Sequence, residues 1–250
     1  MNGAVAAFIL FVAFCTAVIT GIFSLAGGLI LMGALALMLP VSAAFVTHGF
    51  IQIIANGWRA ILHRTHIRWS SIGYYAAGSV LAGAGVALVA LTPSKPLLYL
   101  MLGLVSFIVW LPKNILRLDA QIPAHGFVAG LSVTGLNLAA GVAGPLLDIF
   151  FVKTALTRHQ IVATKAATQV FSHLAKILVY GAPLLKLGGP GMPPWWLFAA
   201  AAPLSIVGTV LGGRLLDRLT DVSFIAWTKR IIAVIGAVYL VQAARLCFFS

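Results

Sequence analysis

Acidic residues are almost missing from this chain. Its 250 residues hold four Asp and no Glu, against sixteen Lys and Arg. All charged residues together make up 8%, where a soluble domain carries about 25%. So little charge cannot cover a globular surface in water, which excludes an ordinary soluble enzyme or binding module. Cysteine is nearly as scarce. Cys15 and Cys247 stand one near each end, with no CxxC or Cys/His spacing. A disulfide framework, a zinc site and a cysteine relay are therefore not expected. No GxSxG, HExxH or paired-acid motif occurs, so an intramembrane enzyme would lack its nucleophile, base or metal set. The expectation is a protein that is not an enzyme and needs no cofactor or metal.

What the chain does have is apolar length. It is 62% hydrophobic, with a mean hydropathy of +1.09, and long apolar stretches recur from end to end. That is an all-α polytopic membrane protein whose main partner is the lipid bilayer. The net charge of +12 fits the cationic excess of cytoplasmic loops; with no exposed basic domain, nucleic acid is not an expected partner. The first twenty residues lack a basic leader and a clean small-x-small cleavage site, so they read as retained helix. No motif specifies an oligomeric state.

The apolar segments fall at about 4–20, 24–39, 43–63, 69–91 and 96–112, then 122–138, 143–156, 159–181, 195–214 and 222–248. The polar joint LPKNILRLDAQIP divides them into two membrane repeats, 1–114 and 120–250. Gly27-Gly28 breaks the opening of the first repeat, and Gly141 with Gly144-Pro145 breaks that of the second. Gly188-Gly189-Pro190-Gly191 with Pro193-Pro194 makes a loop.

The chain is organised around Thr47–Arg59 and its echo at Thr164–Lys176. His48 matches Lys165, Gln52 matches Gln169, Asn56 matches His173, and Arg59 matches Lys176. These positions share one narrow face of each helix. Each helix is thus apolar around most of its surface and carries one polar, partly cationic ridge. Polar groups at membrane depth usually face a bundle interior or a wet cavity. Two such ridges predict a lined site for a small anion; the plainer alternative is interhelical hydrogen bonding that holds the bundle together. Thr20-Gly21 with Gly27, repeated as Thr134-Gly135 with Gly141, extends the repeat beyond the ridge.

Charge sets the orientation. With ten crossings, Arg64, Arg68, Lys113, Arg117, Lys153, Arg158, Arg214 and Arg218 collect on one side, and Lys95, Lys186 and Arg245 on the other. The crowded side is expected to be cytoplasmic and both termini periplasmic. An odd number of net crossings per repeat inverts the second relative to the first. Gln52 and Gln169 then sit near mid-membrane, His48 and Lys176 toward the outside, and Arg59 and Lys165 toward the cytoplasm. The hairpins 4–39 and 122–156 return to the side they started from, by full crossings or re-entrant arms.

The opening TGIFSLAGGLILMGALALMLP resembles the TauE/SafE family of sulfite and organosulfonate exporters. So do VTGLNLAAGVAGPLLDIFF and HQIVATKAATQVFSHLAKILVYG of the second repeat. The resemblance covers nearly the whole chain. It implies a small organosulfur anion, such as sulfite or sulfoacetate, as substrate, and export across a bacterial inner membrane.

Such an anion needs charge compensation and hydrogen-bond donors once it leaves water. His48, Arg59, Lys165 and Lys176 are the candidate cations. Gln52, Asn56, Gln169 and His173 are the candidate neutral donors, and Ser24, Asn137 and Thr134 stand beside the glycine breaks. Asp148 pairs with Lys165 or Lys153, or carries a coupling proton; His48 and His173 are weaker proton carriers. Trp58, Trp69, Trp110, Trp195, Trp196 and Trp227 read as interfacial anchors. The leading expectation is an alternating-access transporter. The alternatives are an anion channel using the same ridges and a purely structural membrane scaffold.

Overall fold

A computed structural model describes residues 1–23, 26–89, 91–111, 118–151, 154–216 and 221–248. Ten α-helices run through them: α1 (Gly3–Phe23), α2 (Ala26–Met38), α3 (Val41–Leu62), α4 (Trp69–Val89), α5 (Lys95–Ser106), α6 (Pro123–Ala140), α7 (Gly144–Ile149), α8 (Arg158–Lys186), α9 (Trp195–Leu216) and α10 (Asp221–Phe248). Tighter 3-10 turns follow α3 at Arg64–His66 and α5 at Phe107–Trp110. Each apolar segment read from the sequence holds a helix.

The starts have local causes. Thr157 caps α8 in a capping box with Gln160, which satisfies two otherwise orphaned N–H groups. Ser94 accepts from Leu97 N at the start of α5. Proline stands in the first turn of α5, α6 and α7, where its missing N–H costs nothing. Pro183 and Pro203 lie inside α8 and α9, which helices packed in a membrane tolerate.

Two expectations are corrected. Among the described residues of the segment 143–156, helix covers only Gly144–Ile149. Beyond it the Phe150 carbonyl accepts from Ala120 N at 2.8 Å, and Phe150 and Phe151 are buried in an apolar cluster with Tyr75, Ala129 and Val133. That anchorage turns the chain before α8 starts. Gly27 and Gly28 do not break a helix either; they lie buried in the first turn of α2. Their small size serves close packing, because a Cβ on Gly27 would collide with Thr16 and Thr20 of α1. The joint at Ser24 and Leu25 lies outside the described residues. Gly141 behaves as expected: it ends α6 at φ +78, a left-handed cap open to glycine at little cost.

Among the described residues, four helices are long and apolar enough to cross a membrane: Gly3–Ile22, Trp69–Val89, Trp195–Leu215 and Trp227–Phe248. At about 1.5 Å per residue α2 reaches only ~20 Å and α7 only ~9 Å, short of the ~30 Å hydrocarbon core. Neither short helix is long enough to cross by itself. The outer face carries large apolar side chains, among them Val80, Leu88, Val234 and Val241, all more than half exposed. Lipid tails accept such a surface and water does not. Trp69, Trp110 and Trp195 stand exposed at or beside helix ends, as interfacial residues do.

The most extensive helix contacts are α1 with α9, α4 with α6, α3 with α8, and α5 with α10. Lipid gives apolar helices no hydrophobic reason to associate, so close backbone approach supplies the attraction. Between α4 and α6, a Cβ on Gly78 would strike the backbone of Phe127 and Leu131, and one on Gly130 the backbone of Tyr75. Between α1 and α9, Gly21 lies against Gly212. Gly130→Val is therefore expected to destabilise by roughly 1–3 kcal/mol, seen as a lower Tm and loss of monodispersity in detergent. Gly135→Ala, with nothing within 4 Å of its Cβ position, is expected to leave both unchanged.

Candidate functional site

The site begins where α3 meets α8. Gly49 permits the approach: a Cβ there would stand 3.0 Å from Ile177 Cγ1 and 3.2 Å from the His173 carbonyl. The contact brings His48 against Lys176 and His173, all three buried. Lys176 Nζ lies 3.2 Å from His48 Nδ1 and also donates to the Gly141 carbonyl. With Nδ1 accepting, the His48 proton sits on Nε2, which donates to the Gly28 carbonyl at 3.1 Å. The His48 and His173 rings meet edge-on, 5.4 Å between centroids. Lys176 also lies over the Phe45 ring at 5.4 Å, a cation–π distance.

Beside this cluster is a cavity of about 30 Å³. Thr20 of α1, Gly28 and Leu29 of α2, and Gln52 of α3 form one side. Asn137 of α6, Gly144 and Pro145 of α7, and Gln169, Ser172 and His173 of α8 form the other. Gln52 and Gln169 thus face one shared space. The amide of Gln52 is steered by Asn56, whose Nδ2 donates to the Gln52 carbonyl at 3.0 Å and to Oε1 at 3.5 Å. Its Nε2 lies over Gly28, where a Cβ would come within 2.7 Å. Gly28 and Leu29 belong to the first turn of α2, whose N–H groups have no partner within the helix.

The wall holds unmet hydrogen-bonding capacity. Asn137 is 2% exposed, yet neither its Oδ1 nor its Nδ2 has a partner. His173 Nδ1 is likewise buried without one. Buried polar atoms are rarely left so, and an unpaired one costs about 1–3 kcal/mol. On the far side of Ser172 the opposite holds. Tyr75 Oη lies 2.5 Å from Ser172 Oγ, and Thr134 Oγ1 lies 2.8 Å from both Ser172 Oγ and Ser79 Oγ. Those hydroxyls satisfy one another and tie α4, α6 and α8 together.

The candidate cations stand behind the wall. Arg59 donates to the Thr20 carbonyl at 3.3 Å, in the last turn of α1, and Lys176 donates to Gly141 at the end of α6. The two sequence-matched cations thus do matched jobs, each meeting a free carbonyl at a helix C-terminus. Lys165 forms an ion pair with Asp148, the side chains 14% and 35% exposed. Of the alternatives for Asp148, pairing with Lys165 is the one observed; Lys153 and Ser24 lie outside the described residues. Thr134 joins the hydroxyl cluster instead of the cavity.

Ser172 was missed by reasoning from the sequence, although it stands three residues after Gln169 and so on the same helical face. At the other end of α3, His63, His66 and His159 gather, with rings 5.4–6.5 Å apart. Burial, then His159, His66 and Arg59, hold the His63 imidazole below its ordinary value.

The family model of the sulfite exporter TauE/SafE matches residues 9–242. The chain belongs to the TauE/SafE family. No curated protein and no solved structure is matched. As a TauE/SafE protein the chain is a multi-pass membrane transporter, of a family named for sulfite export. The polar side chains of its cavity wall are neutral ones and one imidazole, while the cations of this TauE/SafE chain hold helix ends and Asp148. In a double-mutant cycle, Lys165→Ala and Asp148→Ala are each expected to lower Tm more than the double substitution does relative to either single one. Removing one partner leaves a partly buried charge unpaired. Additive shifts would mean that the pair contributes nothing.

Proposed function

We propose that this protein carries a small organosulfur anion, sulfite before larger sulfonates, through the cavity between α3 and α8 by alternating access. The single observation that carries the reading is the buried, unpartnered Asn137 amide in a cavity lined also by Gln52, Gln169 and His173. An oxyanion supplies the acceptors that an amide N–H and nearby backbone N–H groups lack. Size sets the order of preference. About 30 Å³ is room for one or two waters, so sulfite enters with less widening than sulfoacetate.

Gln52, Asn137, Gln169 and His173 are the groups that touch the anion. Arg59, Lys176, His48 and Asn56 position the wall and supply a positive field behind it. Lys165 with Asp148 forms a gate pair on the cytoplasmic side, and Ser24 stands at the α1–α2 joint.

The pattern of helix contacts supports two inverted repeats, 1–114 and 120–250. Number the helices of each repeat one to five and exchange the repeats. The contact of α1 with α9 then becomes that of α6 with α4, while α3 with α8 and α5 with α10 map onto themselves. Such an exchange is the mark of a pseudo-two-fold axis, and rocking of one repeat against the other opens a midplane site to each side in turn. The basic loops then lie in the cytoplasm and both termini in the periplasm of a bacterial inner membrane.

The test is sulfite counterflow in proteoliposomes. A carrier gives saturating flux that internal sulfite accelerates, where a channel gives neither. Asn137→Ala and Gln169→Ala are each expected to raise KM about tenfold, the loss of one hydrogen bond to a charged group. Wild-type KM in both variants overturns the site.

A further inference from the structure

The cavity raises a charge problem that its wall answers in only one way. Thr20, Gln52, Asn137, Gln169 and Ser172 are neutral at every physiological pH. Among the described residues that line the cavity, His173 is the single titratable one. It is 5% exposed, with Nδ1 unpartnered.

The groups facing His173 are few. From α3 comes His48, edge-on at 5.4 Å. From its own helix comes Lys176, three residues on, whose Nζ is turned to His48 Nδ1 and the Gly141 carbonyl. The cavity residues of α1, α2, α6 and α7 bring no titratable side chain. The one acid on α7, Asp148, is held by Lys165. Three buried bases therefore stand together with no carboxylate among them.

The cations Arg59 and Lys176 stand one layer back, tied to carbonyls. An extra proton on the histidines has no counter-charge while the cavity is empty, and an anion in the cavity has no counter-charge in its own wall while His173 lacks that proton. Each removes the cost of the other. Resting on the anion-carrier reading, we propose that the cavity binds its anion together with one proton, which the buried base cluster His48–His173–Lys176 takes up, with His173 as the member that touches the anion.

The balance is simple. No covalent bond is made in the anion; one proton moves from water to an imidazole nitrogen, and a monoanion plus that proton add no net charge to the bundle. The two bindings are reciprocal: the factor by which the proton tightens the anion is the factor by which the anion tightens the proton. Direction of transport then follows the sum of the anion and proton gradients. His48 is a positioning residue here. Its Nε2–H is committed to Gly28 and its Nδ1 to Lys176, which keeps the lysine turned toward it.

The experiment uses the full chain in nanodiscs, with sulfite as the probe. Calorimetric titration in two buffers of different ionisation enthalpy, from pH 6 to 8.5, counts the protons taken up per sulfite bound. The expected result is about one proton more for wild type than for His173→Gln. Wild-type affinity is also expected to fall about tenfold more per pH unit than that of the variant on the alkaline side. His66→Gln, far from the cavity, is expected to keep the wild-type count. Equal counts in wild type and His173→Gln overturn the proton site and leave the anion site standing. Sulfite that fails to bind wild type at any pH overturns the anion-carrier reading, and this inference with it. Should His173→Gln not fold, His173→Asn takes its place, and a wild-type count no greater than that of free sulfite's own titration overturns the proposal without any variant.

Discussion

Within a bilayer, each backbone N–H or C=O that lacks a partner costs several kcal/mol, and this protein places helix ends where no water can satisfy them. The ends of α1 and α6 are the clearest cases. Arg59 reaches the Thr20 carbonyl and Lys176 reaches Gly141, and both cations come from the α3–α8 contact. His48 adds a third bridge, from α3 to Gly28 in the first turn of α2. The broken hairpins are held to the long helices by these bonds, and the cavity lies where the two sets meet. Gly49 stands beneath the Lys176 bridge, since the close crossing of α3 and α8 sets that lysine between His48 and the Gly141 carbonyl.

The same accounting separates polar groups that hold the bundle from polar groups that serve it. Tyr75, Ser79, Thr134 and Ser172 satisfy one another, and Tyr180 donates to Leu138 O at 2.6 Å. Asn137 and His173 do not close in this way. A protein built only to be stable would place a leucine at position 137. Unmet donors around a space of about 30 Å³ are what a transient guest requires, because a site that satisfied itself would have nothing to offer an anion.

Membership in the TauE/SafE family and the apolar, Trp-edged surface agree on a membrane transporter. They say nothing of how an anion is tolerated in a wall without a fixed cation. In the proposed reading the cations stand one layer back, tied to carbonyls, so that their field reaches the cavity without a direct ion pair too tight for release. An imidazole in the wall is the group that can change its charge with the cargo.

The amino-acid sequence by itself determined the class and the ruler. Its shortage of acid, its apolar runs and its Gly and Pro breaks placed the start of every described helix to within a few residues, because hydrophobic length and backbone chemistry are local properties. The echo of Thr47–Arg59 in Thr164–Lys176 likewise pointed to α3 and α8. Sequence named Lys165 as one of two partners for Asp148, but it could not tell that Arg59 and Lys176 would hold helix ends or that Ser172 would join the wall. Gly27-Gly28 looked like a break and is a packing surface; Phe150 and Phe151 looked helical and lie in a turn, buried in an apolar cluster. Those outcomes depend on the rotation of each helix about its axis and on the neighbour it finds. Only the tertiary structure decided them, since a polar side chain's role is set by whether a partner stands within about 3 Å, and for Lys176 and His48 that partner is 128 residues away in the chain.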